Sequence, residues 1–398
     1  MAENHAATDL NTRYRDLRTS AQKAAKSGYV DKAGEYYLEA ARLLDNDREA
    51  LLYRASAFSQ AGRKEEAVAA YRLLLDHHPD YADGWTWYGM VLKRAGNNTD
   101  AIEALQKSLS IRSDIDTRNA LVTLLARADR KNDALAQGFI NLIEKDRRST
   151  EYFNSQNEKP ALKATEPLRA YNPRAHAKNI IAFSLWGDNP VYVHGAIQNA
   201  RITPHLYTGW KARFYHDDSV PADALEELRR AGAQTIRVVD PDLARVKPFW
   251  RFLASDDPQI DFFLCRDADS RLNGQELIAV EEWLRSGKAF HIMRDHVYHM
   301  ELILAGMWGG AAGLLPSIRE ILRKSPKYFD NKFADQLFLA NEVWPLIKDH
   351  TLTHDTYYHF NDGRDFPAAY RLPYPVHVGG AVKSMPHWRA TGDQHPPG

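Results

Sequence analysis

The chain has a single cysteine, Cys265, among its 398 residues, which excludes intrachain disulfides and any multi-cysteine zinc site. An excess of one charge is missing too, since 52 lysines and arginines face 52 aspartates and glutamates. Without a basic surplus the chain as a whole does not read as a nucleic-acid binder. No apolar run approaches the roughly 20 residues needed to cross a bilayer, and the opening MAENHAATDLNTRYRD lacks a hydrophobic signal core. The expected location is therefore the cytoplasm, or the inner face of its membrane. What the chain does have is core material, 44% hydrophobic and 11% aromatic residues, so disorder is excluded as the main state. Its length predicts two or three domains at roughly 150 residues each.

A repeat is visible at once. Gly28, Gly62 and Gly96 are spaced by 34, and the same offset carries Ala33, Ala67 and Ala101, then Tyr37, Tyr71 and Leu105. This register resembles the tetratricopeptide repeat, in which small residues let two antiparallel helices touch and large ones fill the gap between repeats. Units are drawn at 14–47, 48–81 and 82–115, with Pro79 closing the second. A fourth, degenerate copy is drawn at 116–147 around Ala134, slipped by one residue and without the turn glycine. Such a stack is a helical solenoid whose concave face implies binding rather than chemistry. Residues 148–177, polar and punctuated by proline, read as a linker.

From Asn179 the pattern changes. NIIAFSLWG, KARFYHDD, TIRVVD, DFFLCRDADS and AFHIMRD read as strands, separated by stretches such as ADALEELRRAG and AVEEWLRSG that read as helices. Strands alternating with helices of about ten residues predict a mostly parallel α/β sheet, whose ligands bind at the carboxyl ends of the strands. The expected division is 1–147 solenoid, 148–177 linker and 178–398 α/β domain.

Chemistry is best sought at Asp267 and Asp269. Two carboxylates two residues apart at a strand end share one face, and like charges that close favour a hard divalent cation between them. The plainer alternative is a helix cap at one aspartate with salt bridges from Arg266 and Arg271.

Here the chain resembles nucleotide-sugar glycosyltransferases of the GT-A fold over about residues 178–381. The resemblance rests on SLWGD (Ser184, Leu185, Trp186 to Asp188), RFYHDD, RDADSR, MRDH (Met293 to His296) and AGMWGG (Ala305 to Gly310). It implies Mn2+ or Mg2+ on Asp267 and Asp269, bridging the donor diphosphate and acting as a Lewis acid on the leaving phosphate. It also implies donor contacts from Ser184, Leu185, Trp186, Asp188, Arg266, Arg271, Arg294, Trp308 and Gly309, with a UDP-sugar favoured over a GDP-sugar and a glycan or protein as acceptor. More than half of the 16 histidines lie after residue 290. His377, Gly380 and Lys383 match the His-X-X-Gly segment with which glycogenin-like and galactosyltransferase-like members end, which implies His377 as third metal ligand and Lys383 at the donor.

The same resemblance places Asp335 and Gln336 under the donor sugar and implies retention of anomeric configuration; the alternative for Asp335 is a carboxylate favoured by a helix N-terminus. Asp295 is the best candidate for an inverting general base. His296 and His299 are read as lining the sugar site or binding metal at i, i+3, and His354 as structural. Trp308 is read either as stacking on a sugar or as core, and Cys265 as packing. The repeats are expected to hold the acceptor, a protein partner or a second copy in a homodimer. Two rival readings remain, a non-catalytic repeat scaffold with a degenerate transferase domain and a metal-dependent nucleotidyltransferase.

Overall fold

The computed structural model describes residues 2–163, 169–329, 334–373 and 376–381, with side chains from Asp9 onward. The chain divides into two compact units, 1–141 and 142–398.

The first unit is helical. Its elements are α1 (Ala2–Lys26), α2 (Val30–Leu43), α3 (Arg48–Gln60), α4 (Lys64–His77), α5 (Ala82–Ala95), α6 (Asn98–Ile111), α7 (Ile115–Arg127) and the start of α8 (Lys131–Ser155). The repeat positions explain the packing. Ala33, Ala67, Ala101 and Ala134 are all fully buried, and a Cβ on Gly89 would come within 2.9 Å of Leu105, so the two helices of a pair touch where side chains are smallest. Gly28, Gly62 and Gly96 turn the chain with φ of 81°, 75° and 87°, a left-handed conformation that costs glycine nothing. The fourth copy keeps this turn without glycine, because Asp129 takes φ 57° in its place; a short polar side chain is among the few that tolerate it.

The expected boundary at 147 and the expected linker from 148 differ from the structure. Helix α8 runs unbroken to Ser155, and its residues from Leu142 onward belong to the second unit. The stretch contains no proline before Pro160, so its polarity marks a partly solvated helix rather than a loop.

Among the described residues the second unit is built on seven strands, β1 (Asn179–Leu185), β2 (Lys211–His216), β3 (Gln234–Arg237), β4 (Phe262–Arg266), β5 (Phe290–Arg294), β6 (Trp308–Ala311) and β7 (Thr351–Asp355). They are ordered β3-β2-β1-β4-β6-β5-β7. All neighbours are parallel except β6, which runs antiparallel to both β4 and β5. The helices are α9 (Pro190–Leu206), α10 (Ala222–Arg230), α11 (Pro241–Ala244), α12 (Gly274–Ser286), α13 (Ile318–Lys324), α14 (Ala334–Phe338) and α15 (Trp344–Ile347). A 3-10 segment, Lys247–Asp256, lies between α11 and β4, and a π turn, Leu339–Val343, joins α14 to α15.

Burial makes β1 a central strand, every residue of NIIAFSL being buried. Phe183 stacks on its register partner Phe214 at 4.7 Å across β1 and β2. Trp250, Trp283, Trp308 and Trp344 are fully enclosed. Rings of this size each withdraw roughly 150–250 Å² from water, on the order of 4–6 kcal/mol at about 25 cal/mol per Å². Among the described residues no helix is long and apolar enough to cross a membrane.

Candidate functional site

Strands β1 and β4 are parallel neighbours with Phe183 opposite Arg266, so their carboxyl ends leave the sheet side by side. After β1 the chain turns through Trp186 to Asn189, with Gly187 at φ 71° and its amide donating to Ser219 Oγ at 2.7 Å. After β4 it turns through Asp267 to Asp269. These two turns, with Tyr192 from α9 and Arg251 from the 3-10 segment, enclose a cavity of about 300 Å³. Ser184, Leu185, Trp186, Asp188, Asp267 and Asp269 are thus brought to one place. Trp186, 39% exposed, presents a ring to it.

The residue that sequence reasoning missed is Arg251. Its Nη1 donates to Asp267 Oδ1 at 2.6 Å and its Nη2 to Asp335 Oδ2 at 3.2 Å, while its backbone amide donates to Ser184 Oγ at 2.9 Å. Burial opposes the guanidinium charge, but the carboxylates of Asp267 and Asp335 hold its pKa above the ordinary arginine value. Burial raises the pKa of Asp335, with Arg251 acting the other way. One buried cation therefore binds two of the expected site carboxylates, although Asp335 lies on α14, far along the chain. The one signal in the sequence was an arginine within the apolar run FWRFLA.

Two glycines shape the walls. A Cβ at Gly306 would collide with Asp267 Oδ2, and one at Gly195 on α9 with the Ala268 carbonyl. The Gln336 amide, oriented to satisfy both groups, donates to the Ile303 carbonyl at 2.8 Å and accepts from the Ala305 amide at 3.2 Å. It is thereby tied to the segment that leads into Gly306.

Several expected donor contacts lie elsewhere. Arg266, 1% exposed, pairs with Glu276 of α12 and donates to the Cys265 and Trp308 carbonyls at 2.7 and 3.1 Å. Strand alternation sends it to the face opposite Asp267. Arg271 donates to Gln198 Oε1 of α9 at 2.9 Å and to the Ser270 carbonyl of its own turn at 2.9 Å. Arg294 is wholly buried, paired with Asp355 at 2.8 Å and donating to the Leu302 carbonyl at 2.8 Å. Trp308 is core, edge-on to Phe263 at 5.1 Å. Gly309 lies inside β6, where a Cβ would strike the Phe263 carbonyl, so the close approach it permits is between strands. Cys265 is buried as expected. Lys383 falls outside the described residues.

Asp295 does not have the setting of a free base. It is 7% exposed and accepts from Gln275 Nε2 at 3.0 Å, Thr356 Oγ1 at 2.5 Å and the Val378 amide at 3.2 Å. Its carboxylate ties down the segment that carries His377. That histidine packs with His296 and His299, ring centroids 4.4 and 4.9 Å away, and its Nδ1 donates to the Val378 carbonyl at 3.0 Å. Burial, then the neighbouring His377, lowers His296 to about 4. His299 is lowered well below the usual histidine range by the same two causes and by His296.

Among the described residues no three His, Cys, Asp or Glu side chains are arranged to hold a metal ion, so Asp267, Asp269 and His377 do not form the expected three-ligand set. The two aspartates do fit a hard cation of the Mg2+ type, which commonly takes one or two protein carboxylates and completes its shell with phosphate and water oxygens.

Tetratricopeptide repeat models match residues 49–81 and 82–115. No curated protein matches the chain. Among solved structures, similarity is found to MamA at 22% identity, covering 31% of this chain and 73% of that one with a TM-score of 0.29. An O-GlcNAc transferase of Thermobaculum terrenum is 18% identical over 65% of this chain and 46% of its own, TM-score 0.30. The Sgt2 TPR domain from Aspergillus fumigatus is 21% identical over 30% and 82%, TM-score 0.27. The helical unit thus carries tetratricopeptide repeats over residues 49–115.

Proposed function

We propose that the second unit is a metal-dependent glycosyltransferase of the GT-A type, moving a sugar from a nucleotide-sugar donor to a glycan or protein acceptor. The observation that carries the reading is the shared cavity, in which the Ser184 to Asn189 turn and both aspartates face the same space. Asp267 and Asp269 would hold Mn2+ or Mg2+, and that ion supplies Lewis-acid stabilisation of the leaving diphosphate. Trp186 offers a ring face to the nucleoside base. Arg251 places a fixed positive charge beside the anionic donor, in a buried setting where such a charge acts strongly. Asp335, fixed on Arg251, and Gln336, fixed on the 303–305 segment, address the sugar, a UDP-linked one ahead of a GDP-linked one, with retained configuration. The repeats bind the acceptor, a protein partner or a second copy.

The test is a panel of nucleotide sugars with manganese, read by released nucleotide and by transfer. Chelator should abolish turnover and manganese restore it, and Asp269→Ala should weaken donor binding while leaving the domain folded. Full activity of Asp269→Ala in chelator would sink the reading. Release of pyrophosphate from a nucleoside triphosphate would instead identify a nucleotidyltransferase.

A further inference from the structure

The candidate sugar residues Asp335 and Gln336 sit on α14, a helix of five residues. So short an element has little stability of its own, and its continuation is a π turn, an irregular backbone that needs outside partners. Most of those partners come from one face of α8, with Lys327 and Tyr328 adding to Glu342. Ser149 Oγ donates to the Ala340 carbonyl within the π turn. Tyr152 donates its hydroxyl to Glu342 Oε1 at 2.9 Å, and Tyr328 donates to the same oxygen at 2.6 Å. Asp146 accepts from Trp344 Nε1 at 2.6 Å, one residue beyond the π turn. Residues 145, 149 and 152 recur at helical spacing, and Lys145 completes the row by donating to the Met300 carbonyl and to Glu301, both at 2.6 Å. This last contact falls on the stretch that leads to Ile303 and Ala305, against which the Gln336 amide rests.

We infer that Lys145, Ser149 and Tyr152 are positioning residues for transfer. One helix face grips both the turn that follows Asp335 and Gln336 and the segment that Gln336 binds. The inference rests on the assignment of those two residues to the donor sugar. None of the three α8 residues lines the cavity that holds Trp186, Asp267 and Asp269, so the row acts on the sugar subsite and not on nucleotide capture. That division separates it from a merely structural contact, which would lower stability and every kinetic constant together.

The experiment uses the full chain. In the double variant Ser149→Ala/Tyr152→Phe, kcat at saturating donor should fall about tenfold, since small misplacements of site groups carry losses of that order or more, while the donor KM stays within about twofold. Ser149→Thr, which keeps the hydroxyl, should restore most of the rate. Arg147→Ala is the control, because its partners Glu144 and Glu151 lie on α8 itself, and its kcat should be unchanged. Should the double variant fail to accumulate, Tyr152→Phe alone carries the test, with a reduced kcat and an unchanged KM expected. An unchanged kcat, or kcat and KM worsening together with a lowered melting temperature, would overturn the positioning role. The unmodified protein is measured in the same series: if it transfers no sugar from any donor, the sugar-site assignment falls and takes this role with it, whereas transfer that the variants leave intact overturns the positioning role alone.

Discussion

The two units treat charge in opposite ways. In the repeats the pairs of Arg13 with Glu39 and Arg112 with Asp83 lie at the surface, while the interior is mostly alanine, leucine and aromatic rings, with buried Arg118 donating to the neutral side chains of Gln137 and Asn141. In the α/β unit complete ion pairs are enclosed: Arg266 with Glu276, and Arg294 with Asp355, whose side chains are fully buried. Exposed pairs contribute little, whereas breaking a buried pair strands a charge in a poor dielectric. A repeat array can thus vary its surface charges freely as long as the small contact residues persist. The α/β unit has tied its loop geometry to charge partners that must be kept or lost together.

The largest expected effect tests that contrast directly. Asp355→Ala should remove about 3–5 kcal/mol from the α/β unit, because the Arg294 guanidinium would remain buried without its carboxylate. Urea unfolding followed by hydrogen exchange would read it, with Glu39→Ala in the repeats leaving the midpoint unchanged. Comparable losses from both substitutions would break the comparison.

A second effect concerns pH. His291 Nε2 and His354 Nδ1 share a hydrogen bond of 2.8 Å between β5 and β7. Trp283 stacks on His291, while Glu282 and Arg364 lie on the outer side of the pair. Burial, the other histidine and Arg266 push His291 well below the usual range; burial also lowers His354, against the pull of Glu282. With folded pKa values depressed, the unfolded chain binds protons first as pH falls. The contribution to stability is therefore complete above the unfolded value of about 6.5 and is lost as pH drops through and below it. Amides of β5 and β7 should exchange faster at pH 5.5 than at pH 7.5, after correction for intrinsic rates, while the repeat helices hold their protection. Equal loss in both units would show that the histidine pair is not the origin.

The smallest effect sharpens the account of the repeats. Asp129→Gly should stabilise the fourth turn by less than about 1 kcal/mol, since glycine relieves the left-handed strain, and Gly62→Ala should cost a similar amount. Thermal denaturation of the two variants would show opposite signs; a destabilised Asp129→Gly would mean that the aspartate contributes more than it strains.

Legibility in the sequence follows the range of the forces. The repeats were readable because their contacts recur at a fixed short offset, and the strands β1, β2, β4 and β5 because their apolar runs are local. The Ser184 to Asp188 turn and the aspartates were found together because both follow such runs. Arg251 was missed because its partners stand 16 and 84 residues away. Arg294 reads as a donor contact for the same reason, its carboxylate standing 61 residues away, whereas Arg266 finds Glu276 only ten residues on, the salt bridge that the plainer alternative allows. Strand β6 was hidden by its glycines, and the end of α8 by residues whose polarity answers to partners nearly 200 positions on.

The π turn at Leu339–Val343 has one more consequence, in helical phase. Asp335 and Glu342 are seven residues apart, a spacing that puts two side chains on one face of an uninterrupted α-helix. Two carboxylates would then look toward the same space. A π turn advances less per residue, and over five residues the lag amounts to roughly a quarter turn. That rotation leaves Asp335 on Arg251 and delivers Glu342 to Tyr328 and Tyr152. One irregular turn thus sorts two like charges onto different sides of a single helical stretch.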